Sequence, residues 1–381
     1  GGAAAISQVQ TFTFAGTWEV GDLIRVTIGQ KIYNYAVTST TIATFLPLFV
    51  TAYNALDSDD YPEMAEMTAA GTSPDLTFTA DNEGVRFTIP LPPLEATGGA
   101  ADAQTIEGAG VATTGTATTA SSGPADWSTA KNWSGAAVPV AADNVYIENT
   151  DDDIKYGFAQ SAVTLTLLEI RASFTGPIGL PLANTDSAEY PEYRARHLAI
   201  SATTLNIGDG EGQGSGRILV NVGTNACTLT VRRTASGIDT DIEAVQWKGT
   251  HAANVVNVYQ GEVAVAGFAA EVATVATLRV GYEDGQDSDA VVRMASGCTL
   301  TTITQTGGAL EINSAATTIT RHGGSLLVRG SGAITTLTNN TGEVDYRSSG
   351  TVTTYVGGPG STLRFTADNR TRTFTTTTIL A

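Results

Sequence analysis

The sequence predicts a mainly β protein in which a small N-terminal α+β domain precedes a right-handed parallel β-helix, or β-solenoid. Two observations lead to this prediction. Only 15% of the 381 residues are charged, against about 25% in ordinary soluble domains, while threonine and glycine are abundant. β-branched residues suit strands and glycine suits tight turns. In addition, one phrase of threonine, glycine and aliphatic residues occurs four times between Leu300 and Phe365.

Residues 1–94 carry the pattern of the predicted α+β domain. Apolar and polar residues alternate in VQTFTF, DLIRVTI and KIYNYAV, which indicates paired strands. Apolar residues then recur at three- and four-residue spacing from Ile42 to Leu56, which indicates one amphipathic helix. Alternation returns in DLTFTA and VRFTIP, so we expect a single helix packed against a sheet.

The next segment, residues 95–124, consists mostly of glycine, alanine, threonine and serine. Such a composition buries too little apolar surface to fold alone. We therefore predict a linker here, or a strand that orders only against a partner, and we place the domain boundary at this segment.

The predicted solenoid domain covers residues 125–381 and opens with a cap over residues 125–150. The cap contains Trp127 and Trp133, followed by an alternating strand that ends at Ile147. Bulky aromatic residues of this kind suit the open end of a stacked core, where parallel coils leave an unpaired edge.

The repeated phrases align into four columns of apolar residues. Successive coils lie 16 to 18 residues apart, except that the insertion GYEDGQDSD interrupts the alignment between Val275 and Leu300. The columns are Val255, Val272, Leu300, Ala316, Ile334 and Val352; Val258, Val275, Ile303, Ile319, Leu337 and Tyr355; Val263, Leu278, Leu310, Leu326, Val344 and Leu363; and Val265, Val280, Ile312, Val328, Tyr346 and Phe365. A short fixed period is typical of stacked coils, because each coil buries its apolar side chains only against the next.

Two other architectures fit the sequence less well. A β-sandwich has no reason to keep one register through successive returns of the chain. A left-handed helix of hexapeptide repeats needs an aliphatic residue at every sixth position, a pattern that the sequence lacks. The right-handed β-solenoid is therefore the predicted form.

The formal net charge of −18 limits the partners of the chain. Nucleic acids and anionic membrane surfaces repel such a charge, so we expect binding to neither. No apolar run approaches the roughly 20 residues of a membrane-spanning helix, so membrane insertion is not expected. The first residues, GGAAAIS, lack an initiator methionine and a signal-peptide pattern, which indicates a trimmed or processed chain.

Acidic residues in the insertion are the candidate metal ligands. Glu283, Asp284, Asp287 and Asp289 can offer carboxylate oxygens to Ca²⁺, although they lack the spacing of a twelve-residue calcium loop. Apart from this candidate Ca²⁺ site, the sequence predicts no cofactor.

One pair of carboxylates was considered for catalysis. Glu311 and Asp345 fall in the same outward column, two coils apart, with Leu327 between them. Two coils give roughly 9.6 Å, near the upper end of the separation found in inverting glycosidases. The intervening leucine and the neighbouring Arg329 and Arg347 instead indicate an ordinary mixed surface, so we predict no catalytic site and no enzyme.

The histidine and cysteine residues form no catalytic or metal-binding motif in the sequence. His197, His251 and His322 are far apart, and His322 falls in a turn where a solvated side chain is expected. Cys227 and Cys298 are too few and too separated for a disulfide scaffold, so we expect buried free thiols.

Several stretches resemble structural proteins encoded in tailed-phage and prophage genomes. They are DWSTAKNWSGAAVPVAADNVYI, QSAVTLTLLEIRASFTGPIGLP and ADNRTRTF, together with GTWEVGDLIRVTIGQKIYNYAVTS, which is similar to a small module of phage virion proteins. The resemblance implies a component of the virion surface, such as a head decoration protein, a head fibre or a tail-associated fibre, commonly a homotrimer. It brings no catalytic residues, unlike depolymerising tail spikes.

The resemblance leads to a non-enzymatic virion structural protein as the first hypothesis. Residues 1–94 would attach to a major capsid or tail protein, and the solenoid would project with its threonine rows facing water or a host glycan. The W…NW…P…D.V.I phrase also resembles the start of passenger domains, so a secreted bacterial surface adhesin is the alternative. A polysaccharide-degrading tail spike is a third hypothesis.

Overall fold

The computed structural model describes residues 3–14, 18–28, 31–87, 95–97, 117–181, 195–239, 242–284, 286–365 and 371–380. The described chain forms two compact units. The first holds the residues up to Val138, and the second holds Pro139–Pro181 and the residues from Arg196 onward. Strands predominate in the described residues, and one long helix lies in the first unit, so the mainly β class and the N-terminal α+β part are confirmed.

The described residues of the first unit form two antiparallel sheets and one helix. Its elements are β1 (Val9–Thr13), β2 (Leu23–Ile28), β3 (Lys31–Ala36), α1 (Ile42–Asn54), β4 (Met67–Thr72), β5 (Asp75–Ala80), β6 (Glu95–Thr97), β7 (Ala117–Thr119) and a 3-10 turn at Ala130–Asn132. One sheet has the order β4–β5–β1–β7 and the other the order β3–β2–β6. The predicted helix is therefore present, with strands on both sides of it in sequence.

Aromatic side chains of α1 supply much of the core of this unit. Phe45, Phe49 and Tyr53 lie on one side of the helix and are buried. The ring of Phe45 lies 5.0 Å from that of Trp18, and the ring of Tyr53 lies 5.0 Å from that of Phe78. These are the residues whose three- and four-residue spacing predicted the helix, so the periodicity reflects a face that packs against the strands.

Both ends of the predicted linker are strands in the first unit. β6 pairs with β2, and β7 pairs with β1, in each case antiparallel. Two short stretches of the predicted linker are therefore strands that pair within the chain, and the linker assignment itself stays a prediction. Residues 98–116 of the predicted linker lie outside the described residues.

The tryptophan segment packs within the first unit. Trp127 is buried, and the indole of Trp133 donates a hydrogen bond to the Trp127 carbonyl at 2.9 Å. The carboxylate of Asp126 accepts a 2.6 Å ion-paired hydrogen bond from Arg86. The segment therefore belongs to the unit that ends at Val138, whereas the sequence analysis assigned residues 125–150 to the cap of the solenoid domain.

The second unit is built from short strands. They are β8 (Asn144–Ile147), β9 (Ala159–Ile170), β10 (Leu198–Ile207), β11 (Ile218–Asn221), β12 (Thr228–Val231), β13 (Val245–Lys248), β14 (Val255–Val258), β15 (Glu262–Val265), β16 (Ala273–Val280), β17 (Val291–Met294), β18 (Cys298–Gln305), β19 (Ala309–Ile312), β20 (Ala315–Arg321), β21 (Ser325–Val328), β22 (Ile334–Asn339), β23 (Gly342–Tyr346), β24 (Val352–Gly357), β25 (Ser361–Arg364) and β26 (Phe374–Ile379).

These strands form two parallel ladders. From β10 onward each strand pairs with the next but one, so that β12, β14 and their successors to β26 form an even ladder, while β11, β13 and their successors to β25 form an odd ladder. β10 joins both, because Leu198 pairs into β11 and Thr204 pairs into β12. Parallel pairing between successive turns of the chain is the arrangement of a β-solenoid, which confirms the predicted architecture.

Aliphatic columns fill the interior between the two ladders. In the even ladder, Leu278, Ile303, Ile319, Leu337 and Tyr355 pair in register and are buried. In the odd ladder, Val292, Leu310, Leu326 and Val344 do the same. Burying each such side chain contributes about 1.5–3 kcal/mol, so the stacked columns are the main source of stability.

The predicted columns are confirmed from Leu300 to Leu363 but are wrong for the coil before the insertion. Val255 and Val258 also pair out of the predicted register, with Thr277 and Val280, and Phe365 is exposed instead of buried. Leu300, Ala316, Ile334 and Val352 pair in register as predicted. Val275 pairs with Leu300, however, and not in the column of Ile303. The reason is that β16 is one uninterrupted strand, which the alignment had divided into two strands and a turn.

The insertion lies at a different place in the coil from the one predicted. It occupies residues 281–290, between β16 and β17, where the next coil has only residues 306–308. β17 was missed, and its Val292 and Met294 take the positions that the alignment gave to Leu278 and Val280.

Candidate functional site

Charged residues lie on the outward side of the odd ladder. Arg293, Glu311, Leu327, Asp345 and Arg364 pair in register there. Together with the flanking Glu243, Arg329, Glu343 and Arg347, they form the surface that we call the charged face. The predicted order of Glu311, Leu327 and Asp345 in one column is confirmed.

Both candidate catalytic carboxylates of the charged face contact arginine. The Arg329 Nε atom lies 3.7 Å from Glu311 Oε1, and the Arg347 Nη2 atom lies 2.6 Å from Asp345 Oδ2. Asn313 also donates a hydrogen bond to Glu311 at 2.9 Å. A sugar oxygen would have to displace these donors, so the arrangement favours a stabilising network over paired general acid and base.

One ion pair of the charged face joins Glu243 and Arg293. The Arg293 Nε and Nη2 atoms lie 2.6 and 2.9 Å from the two carboxylate oxygens of Glu243, a two-pronged geometry. Burial acts to raise the pKa of Glu243, but the hydrogen bonds and charge of Arg293 outweigh it, and the pKa is lowered. Glu243 is therefore an anion in a pair that links residues 50 positions apart.

The four candidate Ca²⁺ ligands lie in the connection between β16 and β17. Glu283 and Asp284 are exposed, with Arg279 3.6 Å from Glu283 and Gln286 hydrogen-bonded to Asp284. Asp287 and Asp289 line a cleft of about 500 Å³. Within the described ranges, no three acidic, histidine or cysteine side chains are placed to hold one metal ion.

The insertion is anchored to the coils by an aromatic stack. The rings of Tyr259 and Tyr282 lie parallel at 5.1 Å, and Arg232 covers Tyr259 at 5.4 Å. The Ser288 hydroxyl donates to the Tyr259 carbonyl at 2.5 Å. The ring of Tyr259 is therefore in contact with both Tyr282 and Arg232.

A buried polar cluster that the sequence analysis missed surrounds His197. The Lys248 ammonium lies 2.6 Å from Glu271 Oε1, and the His197 Nε2 atom lies 3.5 Å from the same oxygen. The imidazole also packs edge-on against Phe268. Burial lowers the pKa of His197 to about 4, more than the Glu271 charge raises it, so the imidazole is neutral at pH 7 and the ion pair is between Lys248 and Glu271.

His322 and both cysteines lie in the environments that the sequence predicts. His322 is exposed in a turn, as predicted, with its Nδ1 atom 3.0 Å from the Asn340 amide. Cys227 and Cys298 are buried free thiols, as predicted. Burial raises the pKa of each thiol to about 12, so both stay protonated and unreactive.

Polar side chains replace aliphatic ones at one inner corner of the coils. Gln305, Arg321 and Asn339 pair in register at the ends of their strands and are buried. Arg321 donates to Asn339 Oδ1 at 2.9 Å and to the carbonyls of Thr341 and Gly324. Burial lowers the pKa of this guanidinium. Its carbonyl partners belong to the turns, so the corner has a structural role.

Threonine residues cover the outward side of the even ladder. We call this surface the threonine face. Its two columns are Thr302, Thr318, Thr336, Thr354 and Thr376, and Thr304, Thr320, Thr338, Val356 and Thr378. All ten side chains are exposed or half-buried. Among the described residues, no partner in the protein is hydrogen-bonded to any of these threonine hydroxyls.

Comparisons with protein-family models, curated proteins and solved structures gave no match to this chain. Over the part of the chain that the structure describes, no helix has the length and apolar character needed to cross a bilayer.

Proposed function

We propose that the chain is a non-enzymatic structural protein of a tailed-phage particle, a capsid decoration or fibre protein displayed on the particle surface. The observation that carries the proposal is the solenoid itself, with coils held by parallel ladders from β8 to β26. Such a stack grows in one direction and presents outward rows of side chains in register, as a projecting fibre requires. The likeness of the sequence to phage virion proteins supports the same function.

The contacts of the charged face favour this function over sugar cleavage. Inverting glycosidases keep a pair of carboxyl groups free to hold a water and a leaving-group oxygen. In this chain Arg329 and Arg347 contact Glu311 and Asp345 instead. Release of reducing sugar by the wild-type chain, and its loss in Glu311→Gln or Asp345→Asn, would favour the tail-spike alternative.

Attachment is proposed to occur through residues 1–94, which would bind a major capsid or tail protein. Three copies would then associate into a homotrimer with the solenoids outward, at the virion surface. A host glycan is the proposed ligand of the projecting solenoid, at a surface other than the threonine face. Neither nucleic acid nor a membrane is a proposed partner, because a net charge of −18 opposes both.

The proposal is tested on purified particles from the source. Quantitative mass spectrometry should detect the chain at a copy number that is a multiple of three. Imaging of the same particles, with and without an antibody against residues 125–381, should place the bound antibody on projections from the surface. Absence of the chain from particles would remove the proposal, and its recovery from bacterial outer surfaces would favour the adhesin alternative.

A further inference from the structure

The threonine face is uncharged in a strongly acidic protein. Nine of its ten outward residues are threonine and the tenth is Val356. Over the same coils, the matching outward column of the odd ladder holds Glu311, Leu327, Asp345 and Arg364. One coil earlier both ladders carry an arginine, Arg279 in line with Thr304 and Arg293 in line with Glu311. Strand propensity favours threonine on the exposed side of either ladder, so propensity alone does not explain why one face is neutral and regular.

The geometry of the threonine face is a rigid grid. Successive coils are separated by about 4.8 Å, and alternate residues of one strand by about 6.7 Å. The register continues through β18, β20, β22, β24 and β26 without a shift. Because threonine is branched at Cβ, its χ1 angle is restricted, and each hydroxyl and methyl group has a nearly fixed position.

The hydroxyls of this grid are free to bind a ligand. Each can donate one hydrogen bond and accept two, and in the described chain none is used within the protein. The matching ligand is therefore neutral, repeats in two dimensions, and offers donors and acceptors together. Soluble glycans usually stack on aromatic rings, whereas none of the ten outward residues of this face is aromatic.

A second copy of the chain fits this face less well than an extended lattice does. Five coils of two columns cover of the order of 250 Å², while a stable interface needs about 800 Å² from each partner. Ice has the required features, because its surface repeats every few ångströms and each of its water molecules both donates and accepts hydrogen bonds. Methyl groups between the hydroxyls restrict the motion of bound water.

We propose that the threonine face is an ice-binding site. Its hydroxyls hold water molecules in two columns whose repeat matches that of an ice surface, and the chain adsorbs to ice through this layer. The inference does not rest on the particle assignment, since it uses only the grid, its neutrality and its free hydroxyls.

Partitioning into growing ice tests the proposal directly. Ice is grown slowly on a cold surface in a stirred solution of the full chain, and the protein in the ice and liquid fractions is measured. We expect the wild-type chain to be enriched in the ice. Thr318→Tyr should lower this enrichment at least about tenfold, the effect of losing one well-placed contact region. The matched control is Ser325→Tyr, an exposed outward position of the same coil on the odd ladder, which should leave the enrichment unchanged.

The variants are checked by urea unfolding, and Thr302→Tyr, at an exposed position of the same column, replaces Thr318→Tyr if the latter does not fold. The proposal is overturned if the wild-type chain is excluded from ice, or if both tyrosine variants are still enriched. Adsorption to powdered cellulose instead of ice would assign the face to a polysaccharide. A change of subunit number in Thr318→Tyr, measured by light scattering, would assign it to contact between copies.

Discussion

The two outward faces of the solenoid are built on the same backbone pattern and carry opposite chemistry. On the threonine face, neutral side chains repeat from coil to coil and make no hydrogen bonds within the described protein. On the charged face, nearly every outward side chain is tied to another, as Glu243 is to Arg293 and Asp345 is to Arg347. The fold requires apolar side chains in the inward columns of both ladders. It does not fix the chemistry of the outward side chains, which therefore differs between the two faces.

The largest expected effect comes from the inward residues that both faces share. Ile319→Ala removes a fully buried side chain beneath the threonine face and should lower the free energy of unfolding by about 3 kcal/mol. Thr320→Ala, the next residue and an outward one, should change it by less than about 0.5 kcal/mol. Urea unfolding of both variants checks the contrast. Equal losses would mean that the outward threonines carry stability, which would contradict their assignment as free for a ligand.

Acidification should act on the solenoid through the His197 cluster and not through the threonine face, which has no titratable group. The pKa of His197 is about 4 in the folded chain and about 6.5 when unfolded. The unfolded state therefore binds the proton first as the pH falls. Stability from this group is complete above pH 6.5 and decreases by about 3 kcal/mol as the pH falls to about 4.

The measurement is urea unfolding of the wild-type chain and of His197→Phe at a series of pH values between 7 and 4. Carboxylates of the charged face titrate in both proteins, so the difference between the two curves isolates the histidine. A difference that stays constant with pH would show that His197 is solvated, contrary to its burial against Phe268.

What the sequence could predict follows from which contacts are periodic. Leu300, Ala316, Ile334 and Val352 could be aligned because their coils have nearly equal lengths and a glycine-bearing turn in each. The alignment failed at Val275 because β16 continues without a turn and the longer connection follows it. The regular coils were therefore sufficient to predict the architecture, whereas the coil with the longer connection was aligned wrongly.

The His197 cluster could not be found in the same way. Its members His197, Lys248 and Glu271 come from three different coils and repeat no pattern. The threonine columns were visible as the repeated TTIT and TTLT phrases, but their meaning depends on a register that only the paired strands establish. Their neutrality becomes informative only beside the charged face.

A smaller loss of stability is expected when the ion pair of Glu243 and Arg293, which joins coils on the charged face, is broken. Replacing Arg293 by methionine leaves the half-buried Glu243 without its two donors, and we expect a loss of about 1.5 kcal/mol at pH 7. The double variant Glu243→Gln, Arg293→Met should recover part of this loss, since no charge is then left unpaired. A double-mutant cycle by urea unfolding measures the coupling free energy of the pair. A coupling near zero would show that each of the two groups is solvated and that their contact does not stabilise the fold.

The smallest change in stability should come from the ion pair of Arg364 and Glu343. The Arg364 Nη1 atom lies 3.0 Å from Glu343 Oε1, and about half of each side chain is exposed. An exposed pair gains little Coulomb energy in water and loses side-chain entropy, so Arg364→Gln should change the free energy of unfolding by less than about 0.5 kcal/mol. Added salt should reduce even this difference, while the coupling of Glu243 with Arg293 should decrease less because that pair is better shielded from solvent. Unfolding measured at about 0.1 and 1 M salt compares the two pairs. Equal salt sensitivity would show that burial does not determine how much each ion pair of the charged face stabilises the fold. The charged face and the threonine face would then differ only in the charge of their side chains.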